Sequence, residues 1–249
     1  MKKKLIGAIL GFDPGGSKKK KNGVACLVLR RNGSKELKLG HCASVDEATC
    51  WFRASAEGLP LLGIGIDTLL AWSGAEGGSR EADRALRKRF PKNARSVISA
   101  NGLYGSMCLS GPLLAARLQP KGKAVPCFET HPKILIRELS SKSYNWRSNK
   151  KIMLKWASTL LGIRNLPMIT SDDELDAALS VGSAYKALSE KWKFDLYSLS
   201  DEIGEALLLT VPRASYPWPK SFKAVPRPAR ASLRSRARGR TPGRTKKAM

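Results

Sequence analysis

Three apolar runs in this chain each stop at an acid. Ile9-Leu10-Gly11-Phe12 ends at Asp13, Gly63-Ile64-Gly65-Ile66 at Asp67, and Val125-Pro126-Cys127-Phe128 at Glu129. Apolar runs without polar alternation mark strands covered on both faces, and such strands lie at the centre of a sheet. An acid directly after one stands at the sheet's carboxyl edge, where open α/β sheets bind ligands. If the three strands are parallel, their acids share that edge.

The surrounding sequence predicts how such a sheet is built. Strands over 4–12, 24–30 and 36–43 are joined by short Gly/Lys/Asn-rich connections, which implies an antiparallel meander. Helix and strand then alternate: a helix over 45–56, the strand 61–66, a charged helix over 80–89, a short strand over 96–99, a helix over 112–118 and a strand over 124–128. Helices follow over 133–139, 149–161 and 172–191, with a last strand over 206–211. The expectation is an α/β domain with a mixed sheet of five strands or slightly more, three antiparallel strands first, and helices on both faces.

A fourth acidic group lies in TSDDELDAAL. Ser171 and Glu174 read as a capping box, and Asp172 and Asp173 suit the positive end of a helix. Asp176 lies beyond the first turn, between Leu175 and Ala177, where a carboxylate needs a partner. Asp173 and Asp176, three apart, share a helix face. Clustered buried carboxylates raise their own pKa values unless a cation binds, and an all-oxygen set suits Mg2+ or Mn2+. Two such ions activate water and stabilise a leaving oxygen in phosphodiester hydrolysis.

Charge points to the substrate. The chain of 249 residues carries 45 basic and 20 acidic residues, a net +25. That imbalance strains a compact fold and indicates a polyanionic partner, nucleic acid first and an anionic membrane surface second. No stretch approaches the ~20 apolar residues of a membrane span. The start, MKKKLIGAILGF, has the basic and apolar parts of a leader, but the run is short and Asp13 interrupts it, so a buried strand is expected. Residues 212–249 hold twelve Lys or Arg and no acid. They are expected to be a disordered basic tail after a domain over 1–211, with Arg234, Arg236, Arg238 and Arg240 binding phosphates. Lys18, Lys19, Lys20 and Lys21, next to Asp13, are candidates for the same task, or a solvated loop. Arg80 and Arg84 are candidates too, or one solvated helix face. Tyr104, in Asn101-Gly102-Leu103-Tyr104-Gly105, is a candidate stacking residue, or part of a plain turn.

Five cysteines without a CxxC pair, and two histidines, speak against structural zinc and for reduced thiols in a cytoplasmic protein. There is no Walker-type GxxxxGK[ST], no GxSxG and no HExxH.

Together, Gly11-x-Asp13-x-Gly15, the strand-end Asp67 and Asp173-Glu174-Leu175-Asp176-Ala177 resemble the RNase H-like superfamily, in particular its Holliday-junction resolvase branch. More closely, GFDPGG, GIDTLLAWS, READRALR, SANGLYG, ETHP and DDELDAAL resemble the domain of unknown function 429 family, described as predicted RNase H-like nucleases. The resemblance spans roughly residues 7–190 and leaves out the basic tail. It implies an RNase H-like fold and Mg2+- or Mn2+-dependent nuclease activity, with Asp13, Asp67, Asp173 and Asp176 as ligands and Glu129 as a further catalytic candidate. Two other functions stay open at this point: a phosphotransferase of the actin/sugar-kinase type, and a non-catalytic nucleic-acid-binding protein on a nuclease-like scaffold.

Overall fold

A computed structural model describes residues 5–15, 21–74, 78–99, 102–103, 105–122, 124–200 and 207–222, with backbone alone for 207–209. Strands β1 (Gly7–Asp13), β2 (Asn22–Leu29) and β3 (Lys35–Cys42) form the expected antiparallel meander. Helix α1 (Val45–Ser55) follows, capped by Ser44 Oγ, which accepts from Glu47 N at 3.1 Å. Strand β4 (Leu61–Ile66) returns parallel to β1, and β5 (Ala71–Ser73) lies outside the main sheet. Helices α2 (Glu81–Arg89) and α3 (Gly105–Leu118) lead to β6 (Cys127–Glu129), parallel to β4. Then come α4 (Pro132–Ser140), α5 (Lys150–Leu161) and α6 (Asp172–Leu188), and the short strands β7 (Phe194–Asp195), β8 (Leu207–Leu209), β9 (Ala214–Ser215) and β10 (Pro217–Trp218).

The central sheet has six strands in the order β3-β2-β1-β4-β6-β9, the first three antiparallel and the rest parallel. The three acid-ended strands are therefore neighbours running the same way. Period-two alternation splits their side chains between two layers. Ala8, Leu10 and Phe12 pack in one core cluster with Ala48 and Phe52 of α1 and Leu114 and Ala115 of α3. Ile9 joins Ala177, Val181 and Ala184 of α6 and Leu161 of α5 on the other face.

One contact sets where α6 lies. A Cβ on Gly23, Gly11 or Gly65 would sit 2.1 Å from the carbonyl oxygen of Asp173, Ala177 or Ser180, respectively. Three neighbouring strands, β2, β1 and β4, thus each leave out a side chain under successive turns of one helix. The helix backbone rests directly on the sheet, which brings its acidic first turns to the carboxyl edge.

Two expectations are corrected. No strand forms over 96–99: a 3-10 helix over 91–96 runs into irregular chain, Pro91, with its φ fixed, opens that helix and Ser96 Oγ donates to Asn93 O at 2.7 Å. The last predicted strand forms as β8 and pairs with β5, outside the central sheet. The fold also runs past residue 211. Strand β9 extends the central sheet beside β6, and Trp218, 1% exposed, lies in a core cluster with Tyr216 and Tyr197. The apolar residues Tyr216, Trp218 and Phe222 are the signal that a count of basic residues and prolines hides. Among the described residues no helix is long and apolar enough to cross a membrane. The five cysteines are free, and burial pushes the thiols of Cys26 and Cys127 up to about 12, which makes them inert.

Candidate active site

Asp13 closes β1 and is 5% exposed; Asp67 follows β4 beside it, with Asp67 N donating to Phe12 O at 2.9 Å. The chain leaving Asp13 is held by Asn22, whose Oδ1 accepts from Gly15 N at 2.9 Å while its Nδ2 donates to Cys42 O at 3.0 Å. The first lysines of that loop, Lys18, Lys19 and Lys20, lie outside the described residues, and Lys21 is exposed.

Helix α6 supplies the facing acids. Half of the expected capping box forms: Ser171 Oγ accepts from Glu174 N at 3.1 Å, but Glu174 Oε2 accepts from Thr170 N at 2.7 Å, one residue before the cap. His41 reaches the same cap, with Nε2 2.8 Å from Ser171 Oγ. Asp173 sits at the crossing with Gly23. Asp176 is 3% exposed, and burial, reinforced by the charge of Asp67, holds its carboxyl well above the usual carboxylate range. Tyr144, before α5, lies where the fields of Asp176, Asp172 and Asp13 overlap; burial first, then those charges, raise its hydroxyl pKa. The Tyr144 hydroxyl lies close enough to Asp176 to favour its charged form. Yet Asp176 Oδ1 and Tyr144 Oη are buried and find no partner of normal hydrogen-bond geometry among the described residues.

The strand-end acids and the helix acids therefore share one neighbourhood. His131 Nδ1 stands 3.7 Å from Asp67 Oδ1, and the exposed Lys133 favours the charged form of Asp176. Among the described residues no three His, Cys, Asp or Glu side chains form a ready group for a metal ion. The acids line an edge and do not close round a point. Their chemistry fits a hard cation all the same: oxygen donors only, one buried carboxylate oxygen without a hydrogen bond of normal geometry among the described residues, and an acid that burial, then the charge of Asp67, holds well above the usual carboxylate range.

Two assignments change. Glu129 does not belong to this group. It is 2% exposed and both its oxygens are taken: Arg80 Nη2 donates to Oε1 at 2.6 Å, and Oε2 accepts from Arg80 Nη1 at 2.7 Å, Leu70 N at 2.7 Å and Tyr197 Oη at 2.5 Å. Arg80, expected to meet phosphate, is itself 2% exposed and also pairs with Asp83 Oδ1 at 2.7 Å. Arg84 remains at the surface and donates to Glu81 Oε1 at 2.9 Å. Tyr104, Arg234, Arg236, Arg238 and Arg240 lie outside the described residues. Sequence reasoning read Asp172 as part of a helix N-terminus and singled out neither His131 nor Tyr144. The Asp172-Asp173 doublet was the only local sign of the first.

Next to Asp67 a cavity of about 160 Å³ opens between the end of β4, α3, the 91–98 segment and α4, with His131 and Lys133 on its wall. Comparison of the chain with protein families, curated proteins and solved structures found no match.

Proposed function

We propose that the protein is a divalent-metal-dependent nuclease of RNase H-like architecture, hydrolysing phosphodiester bonds of nucleic acid. The observation that carries this reading is the meeting of Asp13 and Asp67, at the ends of adjacent parallel strands, with Asp176 of α6, whose buried Oδ1 makes no hydrogen bond of normal geometry among the described residues. The meander followed by parallel strands agrees with an RNase H-like sheet. Asp13, Asp67 and Asp176 would hold Mg2+ or Mn2+, with Asp173 and Asp172 at the positive end of α6 completing the negative edge. Bound there, the ion supplies Lewis-acid activation of water and neutralises charge on the phosphate.

The remaining work falls to the chain itself. His131 Nδ1, 3.7 Å from Asp67 Oδ1, would close to a hydrogen bond with that carboxylate as substrate binds. Lys133, exposed beside the acids, faces the anionic substrate, and the basic surface raises its local concentration. Arg80 and Glu129 neutralise one another and set the shape of the wall behind the edge.

The test is a cleavage assay with Mg2+ or Mn2+ on single-stranded, duplex, hybrid and branched substrates. Cleavage that stops on adding a chelator and returns with the ion is expected. A protein that cleaves none of these and gains no thermal stability from either ion is not such an enzyme.

A second prediction concerns residues 223–249, which carry ten Lys or Arg and no acid. Their removal should weaken binding and flatten its dependence on salt, by about 0.7–0.9 in log–log slope for each phosphate that the shortened chain leaves unneutralised. Truncation at 212 is a different experiment, because it removes β9 and the buried Trp218 with the basic residues. Equal slopes for the full chain and the 1–222 fragment, measured by anisotropy titration, would remove the tail from the interface.

A further inference from the structure

The cavity beside Asp67 reaches away from the other acids of the edge, between apolar side chains, and its construction indicates a ligand of its own. Its volume, about 160 Å³, lies well below the ~300 Å³ at which sites for drug-sized molecules begin. It admits one ring system and not a whole nucleotide. Leu69, Val97, Ile98 and Met107 give it apolar sides, Tyr216 adds an aromatic surface, and His131 stands at the end shared with Asp67. The polar floor makes no demand on a ligand, because Arg80, Asp83 and Glu129 satisfy one another. One polar atom of the lining does make a demand: His131 Nε2 is buried and has no hydrogen-bond partner among the described residues.

The walls are fixed to the catalytic edge. Thr68, the residue after Asp67, donates from Oγ1 to Met107 O at 2.9 Å. A Cβ on Gly111 would meet Thr68 Cγ2 at 2.2 Å, so α3 leans directly on the end of β4. The opposite wall is tied to α2, where Arg87 Nε donates to Val97 O at 3.0 Å. Apolar and aromatic sides, a polar end and a lining shared with Asp67 describe a receptor for a heterocycle attached to an anion.

We infer that the cavity receives a nucleobase of the bound strand, turned out of its stack, while the neighbouring phosphate lies at the acidic edge. The base's part in cleavage rests on the nuclease reading; its binding does not. Base faces stack on apolar and aromatic surfaces whatever the sequence, and a polar end adds selection through the base edge.

The experiment is saturation-transfer NMR with adenosine, guanosine, cytidine and uridine at millimolar concentration, with chelator present so that no metal contributes. At least one nucleoside should bind the wild-type protein and Asp13→Asn alike. Met107→Trp, which fills the cavity, should weaken that binding about tenfold or more. Ile98→Glu should do the same from a side chain already 40% exposed, a site where folding is not at stake. No nucleoside bound to the wild type, or unchanged binding in both folded variants, overturns the inference. Nucleoside bound by a protein that cleaves no phosphodiester strikes the proposed function and leaves the cavity's ligand assigned. Cleavage without nucleoside binding strikes the inference alone.

Discussion

Asp176→Asn is expected to raise the melting temperature of the metal-free protein at neutral pH and to abolish cleavage. The two effects share one cause. Burial, with the charge of Asp67 beside it, holds the Asp176 carboxyl above its usual range, so the fold prefers the neutral acid. A carboxylate whose folded pKa lies above its unfolded value supports folding fully below the unfolded pKa, about 4, and loses that support as pH rises through the folded value. At neutral pH the metal-free wild type carries the penalty and the asparagine variant does not. Relief of a destabilised functional site gains about 0.5–2 kcal/mol, and each kcal/mol moves Tm by ~2–4 °C in a domain of this size. The variant should therefore melt about 1–8 °C higher at pH 7, and the gain should shrink toward pH 4. Mg2+ or Mn2+ should raise the Tm of the wild type and leave the variant unmoved, and cleavage should fall by about two to three orders of magnitude, as expected when a charge-stabilising group is removed. Asp13→Asn should lose cleavage equally while still binding nucleic acid. Calorimetry with and without the ion, from pH 4 to 8, reads the whole set. A variant that melts lower, still answers to Mg2+ and still cleaves removes Asp176 from the site.

The acid's position was legible because local sequence breaks a local rule there. Asp172 and Asp173 satisfy a helix N-terminus without help, whereas Asp176 sits between apolar residues on a face that has to pack. Strand ends were legible for a similar reason: an unbroken apolar run leaves one place for the following acid, whatever the order of strands. The order needed more. Short connections give the β1-β2-β3 meander, but the parallel pairings of β1 with β4 and β4 with β6 cross whole helices. They followed only from the shared carboxyl edge.

What was not legible depends on partners distant in the chain. Gly11, Gly23 and Gly65 each sit in an apolar run, where glycine reads as a weak strand residue. Their role is set by carbonyls of α6 more than 100 residues later. Tyr144 carries no motif; it matters because its hydroxyl ends beside Asp176. Glu129 is the instructive error, since its strand-end position is the same as that of Asp13 and Asp67. The difference is an arginine 49 positions earlier, whose helical spacing with Asp83, Arg84 and Arg87 suggested a solvated face.

That arginine carries the other large prediction. Arg80→Ala should destabilise the protein by about 3–5 kcal/mol, because it strands Glu129 and Asp83 as buried charges. Against a total of ~5–15 kcal/mol for a domain, that is enough to leave the variant marginal. The cluster holds the end of β6 through Glu129, the start of α2 through Asp83 and β5 through Ala71 O, which accepts from Arg80 Nη1 at 3.0 Å. Burial alone would lower the arginine's pKa, but the charge and hydrogen bonds of Glu129, then Asp83, outweigh it and raise it well above the ordinary value. Arg80→Lys should recover only part of the loss, since one ammonium cannot reproduce donors to two carboxylates and a carbonyl. Removing all three charges together, as Arg80→Met with Asp83→Leu and Glu129→Leu, should cost less than Arg80→Ala alone, because no charge is then left buried without its partner. Urea unfolding of these variants distinguishes the roles that sequence left open for Arg80. A phosphate-binding arginine would leave the unfolding midpoint unchanged and raise KM, with a smaller salt slope for binding. A buried clamp shifts the midpoint first, and whatever activity it loses follows the fraction unfolded.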